Sequence, residues 1–238
     1  MKRILLICLS IISLKSFSQE TIINDKNAEV RTVGTFNAIK VSGSINVYLS
    51  QGNSDAVAVS ASEEKYRDKI KTEVVNNTLR IYFDGDKLSW NIGNKKLRAY
   101  VSFRDIRSLE ATGASSFKIN ETISGTDLDV KLTGASNLAG DVKFSKLVAD
   151  ISGASQVKIS GRADNIDINA SGASDVKGYD LAVDDCSVRA TGASDIRITV
   201  NKEISVNATG ASSIFYQGDA VMTNVHTTGA SSVAKKTK

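Results

Sequence analysis

Residues 128–138 read Leu-Asp-Val-Lys-Leu-Thr-Gly-Ala-Ser-Asn-Leu, so alternating apolar and polar residues lie on both sides of a Gly-Ala-Ser tripeptide. Alternation with a period of two is typical of a β-strand with one buried face. The tripeptide recurs along the chain and is always preceded by Thr or Ser. Its glycines are Gly113, Gly134, Gly153, Gly172, Gly192, Gly210 and Gly229, at intervals of 21, 19, 19, 20, 18 and 19 residues. These regular intervals indicate a repeat protein.

Alignment of the repeats on this glycine produces two columns that contain only apolar residues. Four positions before the glycine stand Leu109, Val130, Ala149, Ile168, Val188, Val206 and Val225, and four positions after it stand Phe117, Leu138, Val157, Val176, Ile196, Ile214 and Val233. A unit of about 19 residues cannot bury its own apolar face, but units stacked as parallel rungs share one core. The pattern predicts an all-β fold, a single-stranded parallel β-helix (β-solenoid). We expect a right-handed coil because parallel crossovers prefer that hand.

The tripeptide is predicted to form the corner between two strands. A tight turn needs a residue with positive φ, which glycine adopts without a Cβ clash, so the seven glycines are expected to be structural turn residues. Alanine fits where rungs stack closely. The serine hydroxyls are expected to hydrogen-bond up the column and to satisfy backbone groups at the corner. The alternative is a ladder of serines that binds a ligand.

The first residues have the features of an export signal. Lys2 and Arg3 precede an apolar run, and the small residues Ser16 and Ser18 stand where a signal peptidase cleaves. A lipoprotein would be acylated on Cys8, but Ile7 stands where a small residue is required. Residues 1–18 are therefore predicted to be a signal peptide, and the protein to be exported to the periplasm, the outer cell surface or the medium.

Residues 19–238 are predicted to form a single solenoid domain, since no linker divides them. An irregular N-terminal half, 33–111, precedes the repeat half, 112–233, and caps it. Further expectations for the first half are a degenerate corner at Gly43-Ser44, a short helix within Glu63–Ile70, a hairpin turn at Asn76-Asn77 and a loop from Asp84 to Lys96.

Composition excludes several classes of function. Removal of residues 1–18 takes away three of the 30 basic residues and none of the 26 acidic ones, which leaves 27 and 26 and gives no support for nucleic-acid binding. Only Cys186 remains, so neither a disulfide nor a cysteine metal site is expected. No later apolar run is long enough for a transmembrane segment. No cofactor is implied.

A stripe of basic residues is the first candidate binding site. The position five after the glycine holds Lys118, and then Lys158, Lys177 and Arg197 on three consecutive rungs. Asp175 and Asp195, two residues earlier on the same face, are expected to neutralise it. The alternative is a surface for an acidic glycan or a lipopolysaccharide phosphate, which charge reversal of Lys158, Lys177 and Arg197 together would test.

Trp90, in the predicted loop, is a second candidate for ligand binding because an exposed Trp can stack on a sugar ring. The alternative is that Trp90 packs onto the N-terminal cap.

The other chemically reactive residues are interpreted as structural or solvated. His226 is expected at the surface, Asp184-Asp185 in a solvated turn without His or Arg partners in neighbouring rungs, and Cys186 as an inert thiol in a core column. No catalytic, metal-binding or cofactor-binding residue is predicted.

The chain resembles the putative auto-transporter adhesin head GIN domain family of exported proteins from Gram-negative bacteria. The resemblance rests on Phe36 to Val47, on Leu79-Arg80-Ile81 and on the run of Gly-Ala-Ser corners, and it covers about Val33 to Val233. It implies a β-helical fold of two sheets joined by tight turns of small residues, and a role in adhesion. It provides no catalytic residues.

The sequence therefore favours a non-enzymatic protein of the cell envelope or surface, with the regular face of the solenoid as an adhesin-like binding or scaffold module. A glycan or another surface ligand is the expected partner. The alternatives are a glycan-active β-helix enzyme, which would need several convergent titratable side chains, and a self-assembling envelope component that pairs through the last rung as a homo-oligomer.

Overall fold

The computed structural model describes residues 25–85 and 95–237, and its strands form one continuous hydrogen-bonded sheet that coils around a core. The predicted signal peptide lies outside the described residues, as do Trp90 and most of the predicted loop around it. The domain boundaries at these places therefore stay predictions.

The N-terminal half contains seven strands and one short helix. They are β1 (Glu29–Arg31), β2 (Ala38–Val41), β3 (Asn46–Gln51), β4 (Ala56–Ser60), α1 (Glu64–Arg67), β5 (Ile70–Val75), β6 (Thr78–Phe83) and β7 (Arg98–Phe103). The helix lies inside its predicted range. Asn76 and Asn77 have φ of 50° and 59° and join β5 to β6 as an antiparallel hairpin, which confirms the predicted turn.

The strands from β8 (Ser108–Ala111), which ends just before the first Gly-Ala-Ser corner, to β17 (Ser232–Lys235) form the regular rungs. Between these two along the chain come β9 (Ser116–Ile119), β10 (Ile123–Leu132), β11 (Asn137–Ile151), β12 (Gln156–Ala170), β13 (Asp175–Ala190), β14 (Asp195–Ala208), β15 (Ser213–Gln217) and β16 (Val221–Thr227). Neighbouring rungs pair in parallel, for example β11 with β12 and β12 with β13. The predicted β-solenoid is confirmed, with about 7 turns roughly 19 residues apart.

The solenoid presents two long outer surfaces, which meet at the Gly-Ala-Ser corners. We call the surface of the strand segments that lead into each corner the pre-corner face, and the surface of the segments that leave it the post-corner face. The N-terminal half continues both, because β2 pairs in parallel with β8 and β3 pairs in parallel with β9. Gly43 has φ of 87° between β2 and β3, as expected of a degenerate corner.

The two apolar columns form the core, as predicted, on every rung except the last. Their members from Leu109 to Val206 and from Phe117 to Ile214 are at most 2% exposed. Val225 is 43% exposed, and Val233 is only partly buried against the core. The expectation of burial is wrong for Val225 because no further rung among the described residues covers it.

The corner is held by backbone contacts between rungs. All seven glycines have positive φ, from 73° to 82°. The N–H of Ala154 donates to the carbonyl oxygen of Gly134 at 2.7 Å, and the same contact recurs along the column. The alanine side chains are exposed at the tip of the corner.

The corner serines are structural. Ser155 Oγ donates to the carbonyl of Ser152 at 2.8 Å, three residues earlier, and four other corner serines make the same bond. Ser115, Ser136, Ser155, Ser174, Ser194 and Ser212 are at most 1% exposed. Their burial contradicts the alternative of a ligand-binding serine ladder and confirms that they satisfy corner backbone groups.

From β12 to β14, differences in repeat length are accommodated at the bend opposite the corner, whereas the pairing of β14 with β16 shifts between Ile204 and Ser205. The pairing of β12 with β13 shifts between Lys158 and Gly161, and that of β13 with β14 shifts between Gly178 and Asp185. On both sides of the bend the residues that flank the corner stay in register. The apolar columns therefore align even though the intervals between corner glycines vary from 18 to 21 residues.

Two corner glycines separate the effect of φ from the effect of close packing. Gly113 and Gly153 both have φ of +77°. A Cβ added to Gly113 would lie 3.8 Å from the Gly43 nitrogen, in ordinary contact. A Cβ added to Gly153 would lie only 2.4 Å from the Gly134 carbonyl oxygen. We expect Gly113→Ala to cost about 1–2 kcal/mol for its backbone conformation and Gly153→Ala to cost about 1–3 kcal/mol more through overpacking. Urea unfolding of both variants measures the difference. Equal losses of stability would show that φ alone selects glycine.

Candidate functional site

The predicted basic stripe lies on the post-corner face. Lys158 is directly opposite Lys177 in β12 and β13, and Lys177 is directly opposite Arg197 in β14. Parallel neighbouring strands lie about 4.8 Å apart, so the three side chains follow one line along the solenoid.

Carboxylates neutralise two of these three cations. Lys177 Nζ lies 3.1 Å from Asp175, while Arg197 lies 3.3 Å from Asp175 and 2.7 Å from Asp195. Lys158 is exposed and makes no ion pair within the described ranges. The carboxylates therefore divide the stripe into a neutral segment and one cation that is available to a ligand.

The same line of side chains extends beyond the stripe at both ends. Ala139 stands opposite Lys158, Lys118 opposite Ala139, and Tyr48 opposite Lys118. We call the complete line the aromatic-basic row: Tyr100, Tyr48, Lys118, Ala139, Lys158, Lys177, Arg197 and Phe215. It runs along the post-corner face from β7 to β15.

A notch interrupts the row at Ala139. The exposed Lys118 and Lys158 flank this small side chain, two rungs or about 10 Å apart. Lys118 makes no ion pair with any described carboxylate, and its Nζ lies 5.5 Å from the centroid of the Tyr48 ring. The notch thus presents two cations that no described carboxylate neutralises.

Two stacked tyrosines form the N-terminal end of the row. The rings of Tyr48 and Tyr100 lie 5.2 Å apart, centroid to centroid, at an interplanar angle of 20°. The Tyr100 hydroxyl donates to Asp25 at 2.8 Å, and Arg98 lies 3.2 Å from the same carboxylate. Burial and this hydrogen bond raise the pKa of Tyr100 to about 12. The tyrosine therefore stays neutral and fixed at physiological pH.

Asp25 stays ionised beneath this pair. Burial opposes its charge, but hydrogen bonds from Tyr100, the Asn27 backbone, Ser60 and Arg98 outweigh that effect and lower the pKa of Asp25. A recess of about 260 Å³ lined by Asp25, Asn27, Ser60 and Arg98 lies beside it. Another concavity, of about 220 Å³, lies on the pre-corner face and is lined by Lys131, Asp150, Asn169 and Arg189.

The sequence contained the signal for most of the row. Tyr48 and Phe215 stand five positions after Gly43 and Gly210, the same offset that selected the basic stripe. Tyr100 follows no glycine corner and enters the row only through its pairing with Tyr48. Extension of the column to the degenerate corner would have identified Tyr48, whereas Tyr100 required the structure.

The remaining candidates have structural positions or lie outside the described residues. Trp90 is one of the latter, and its proposed contact with a sugar stays a prediction. His226 is exposed on β16, as expected. Within the described part of the chain, no group of three or more His, Cys, Asp or Glu residues is arranged to hold a metal ion.

The interpretation of Asp184-Asp185 as a solvated turn without partners is wrong. Both residues lie within β13, and Asp184 forms ion pairs with Arg162 and Lys202, each at 3.1 Å. The hydrogen bond from Lys202 and the charge and hydrogen bond of Arg162 lower the pKa of Asp184. The column alignment missed these partners because the pairing register shifts at this bend.

The lowered pKa of Asp184 predicts a stability that depends on pH. A carboxylate whose pKa is lower in the folded state contributes stability above its unfolded pKa of about 3.9, and that contribution disappears as the pH falls through the folded value. Asp184→Asn should therefore lower the urea midpoint at neutral pH but not in strong acid. The control is Asp164→Asn, which should leave the urea midpoint almost unchanged at both pH values. Asp164 lies 3.8 Å from Arg162 and is about half exposed, so its ion pair contributes little. A deficit that persists in strong acid would contradict the ion-pair account.

Cys186 is buried in the core, as predicted. It is 5% exposed, and burial raises the pKa of its thiol to about 12. In the chain from residue 19 onward it is the one cysteine, so a chromogenic thiol reagent reports on it alone. We expect no labelling of the folded protein at neutral pH and complete labelling in denaturant. Rapid labelling of the folded protein would show that the rungs open at this position.

The fold and the row together define a class: a repetitive β-solenoid that presents long, regular faces. The chain belongs to the family described as putative auto-transporter adhesin, head GIN domain, whose model matches residues 35–220. This confirms the resemblance seen in the sequence.

Solved structures share the fold. The chain is similar to a putative adhesin from Bacteroides fragilis, with 20% identity, a TM-score of 0.78, and coverage of 89% of this chain and 98% of that one. It is similar to a putative adhesin from Parabacteroides merdae at 17% identity and a TM-score of 0.66, with 88% and 95% covered. A putative lipid binding protein from Parabacteroides distasonis is 19% identical with a TM-score of 0.64, and 90% and 98% are covered.

No curated protein matches the chain. None of the helices in residues 25–85 and 95–237 has the length and apolar character needed to cross a membrane.

Proposed function

We propose that this protein is a non-enzymatic, exported component of the cell envelope or surface, an adhesin-like module that binds anionic sugar polymers through the aromatic-basic row. Acidic glycans and the phosphates of lipopolysaccharide share the relevant chemistry, a sugar backbone that carries negative groups. The observation that carries the proposal is the notch at Ala139, where Lys118 and Lys158 pair with none of the described carboxylates and lie beside the stacked Tyr48 and Tyr100.

Each part of the row fits one part of such a ligand. In this proposal the half-buried Tyr48 and Tyr100 rings pack against the apolar part of a sugar. Lysines supply point charges to a carboxylate or phosphate, and their hydrogen bonds to a charged group are stronger than neutral ones. The small side chain of Ala139 leaves room for the anion between the two lysines. Because the rungs are held at a fixed spacing, the site needs little reorganisation when a polymer binds.

The adhesin names in the family and among the structural neighbours support a binding role of this kind.

The contacts of the carboxylates on the post-corner face favour binding over glycan hydrolysis. A glycosidase needs two carboxyl groups with separate acid and base or nucleophile roles. On the post-corner face Arg197 contacts both Asp175 and Asp195, and Asp141 is hydrogen-bonded by Thr122 and Ser160. These contacts suit a rigid surface better than a reactive centre.

The decisive experiment measures binding of the chain from residue 19 onward to an array of acidic and neutral glycans from bacteria and hosts. Binding to lipopolysaccharide is measured separately. The same samples are analysed for depolymerisation products. We expect saturable binding to acidic members, weakened by salt because screening acts on exposed charges, and no products. Separate acidic-glycan and lipopolysaccharide arms identify the source of the anion.

Two double variants test the location of the site. Lys118→Glu with Lys158→Glu should weaken binding at least about tenfold, since hydrogen bonds to charged groups contribute about 1.5–3 kcal/mol each. The matched control is Lys131→Glu with Lys143→Glu, which makes the same change of charge at exposed lysines outside the row. Equal losses in both would show that only net charge matters. Product formation would instead establish the glycan-active enzyme.

A further inference from the structure

The C-terminal end of the solenoid carries an open strand edge with an apolar surface. Among the described strands, β16 is in register with β14 alone, so the N–H and C=O groups along its other edge face no registered strand. All seven residues of β16 are exposed. Val221, Met222 and Val225 are 65%, 48% and 43% exposed, and they make up three of the four large exposed hydrophobic residues in the described ranges.

Two of these residues continue core columns. Met222 stands in register with Ile204, and Val225 with Val206, both of which are buried. This rung therefore has the composition of an internal rung, and no further rung within residues 25–85 and 95–237 covers it. An uncovered edge of this kind is a template for another β-strand.

The other strand at this end is protected. Lys235 of β17 stands opposite Tyr216, which is 4% exposed, so a lysine occupies a position of the core column. Lys236 follows it, with its Nζ 4.7 Å from the centroid of the Phe215 ring. Charged residues of this kind discourage pairing along an edge. Pairing is thus directed to the edge of β16.

The N-terminal end of the solenoid is closed in a different way. There β5 and β1 are the outermost strands, each paired antiparallel with its neighbour. Lys71 and Glu73 are exposed along β5, and Glu29 on β1 forms ion pairs with Arg31 and Arg67. Such a charged end does not match the apolar edge of β16, which disfavours a head-to-tail filament.

We propose that the β16 edge is an interface with a second copy of this chain, and that two molecules associate C-terminal end to C-terminal end as a closed dimer. A second copy presents the same unpaired backbone groups and the same apolar side chains, as a two-fold contact requires. Antiparallel pairing of the two β16 edges satisfies the backbone groups and covers Met222 and Val225. The lysines of β17 in both copies repel each other, so salt strengthens the dimer.

The test is the oligomeric state of the chain from residue 19 onward, measured by sedimentation velocity over a wide range of concentrations at low and high salt. We expect a monomer–dimer equilibrium that shifts toward dimer in high salt. Val225→Lys places a charge in the contact and should weaken the dimer at least about tenfold. The matched control, Val30→Lys, changes the fourth exposed hydrophobic residue, 78% exposed on β1 at the opposite end, and should leave the equilibrium unchanged.

Hydrogen exchange provides a second readout that does not depend on a variant. The amides of β16 should be protected at high protein concentration and exchange freely at low concentration. A monomer at every concentration and salt would overturn the proposal. Larger assemblies, or a dimer that Val30→Lys dissociates and Val225→Lys does not, would also overturn it, since the contact would then involve the other end.

Discussion

From Ala135 onward, the hydrogen bond from each corner alanine to the carbonyl of the preceding corner glycine fixes how closely the rungs stack. At Gly153 the approach is so close that a Cβ would lie 2.4 Å from the oxygen that accepts this bond. The corner serine completes the turn from inside by binding the carbonyl three residues earlier. The alanine bond recurs at six of the seven corners and the serine bond at five, so the turn sets the alignment of the apolar columns and of the outer rows. The proposed binding surface therefore depends on corner residues that lie outside it.

Regular stacking can destabilise the outer surface. Residues at the same position relative to the corner glycine become neighbours on successive rungs, so like charges at that position repel each other. The post-corner face resolves this at Lys177 and Arg197 with the interleaved Asp175 and Asp195. At Lys118 and Lys158 it does so by separation, with Ala139 between them. The first solution stabilises the surface and leaves little charge for a partner. The second retains charge, so the cations available to a ligand lie at the N-terminal end of the predicted stripe and beyond it, at Lys158 and Lys118.

The sequence predicted the solenoid, its corners and its core because these features recur at a constant offset from the glycine. Extension of the same offset to Gly43 would have predicted Tyr48. The partners of Asp184 could not be predicted in this way, since the pairing register shifts at the bend and alignment on the corner fails there. The alignment also failed to identify Tyr100, because β7 follows no corner and its register depends on pairing with β3. Exposure of Val225 is likewise a property of the end of the stack and not of the repeat pattern.

The bend opposite the corner allows repeat length to vary while the alignment of the corner stays constant. Register shifts between β12, β13 and β14 are confined to it, while the corner and both apolar columns keep one alignment. Extra or missing residues at the bend therefore leave the aromatic-basic row unchanged. This edge of the solenoid accommodates differences in length that the corner does not, so a reporter peptide or a grafted loop is best inserted there, away from Gly161 and from the ion pairs of Asp184.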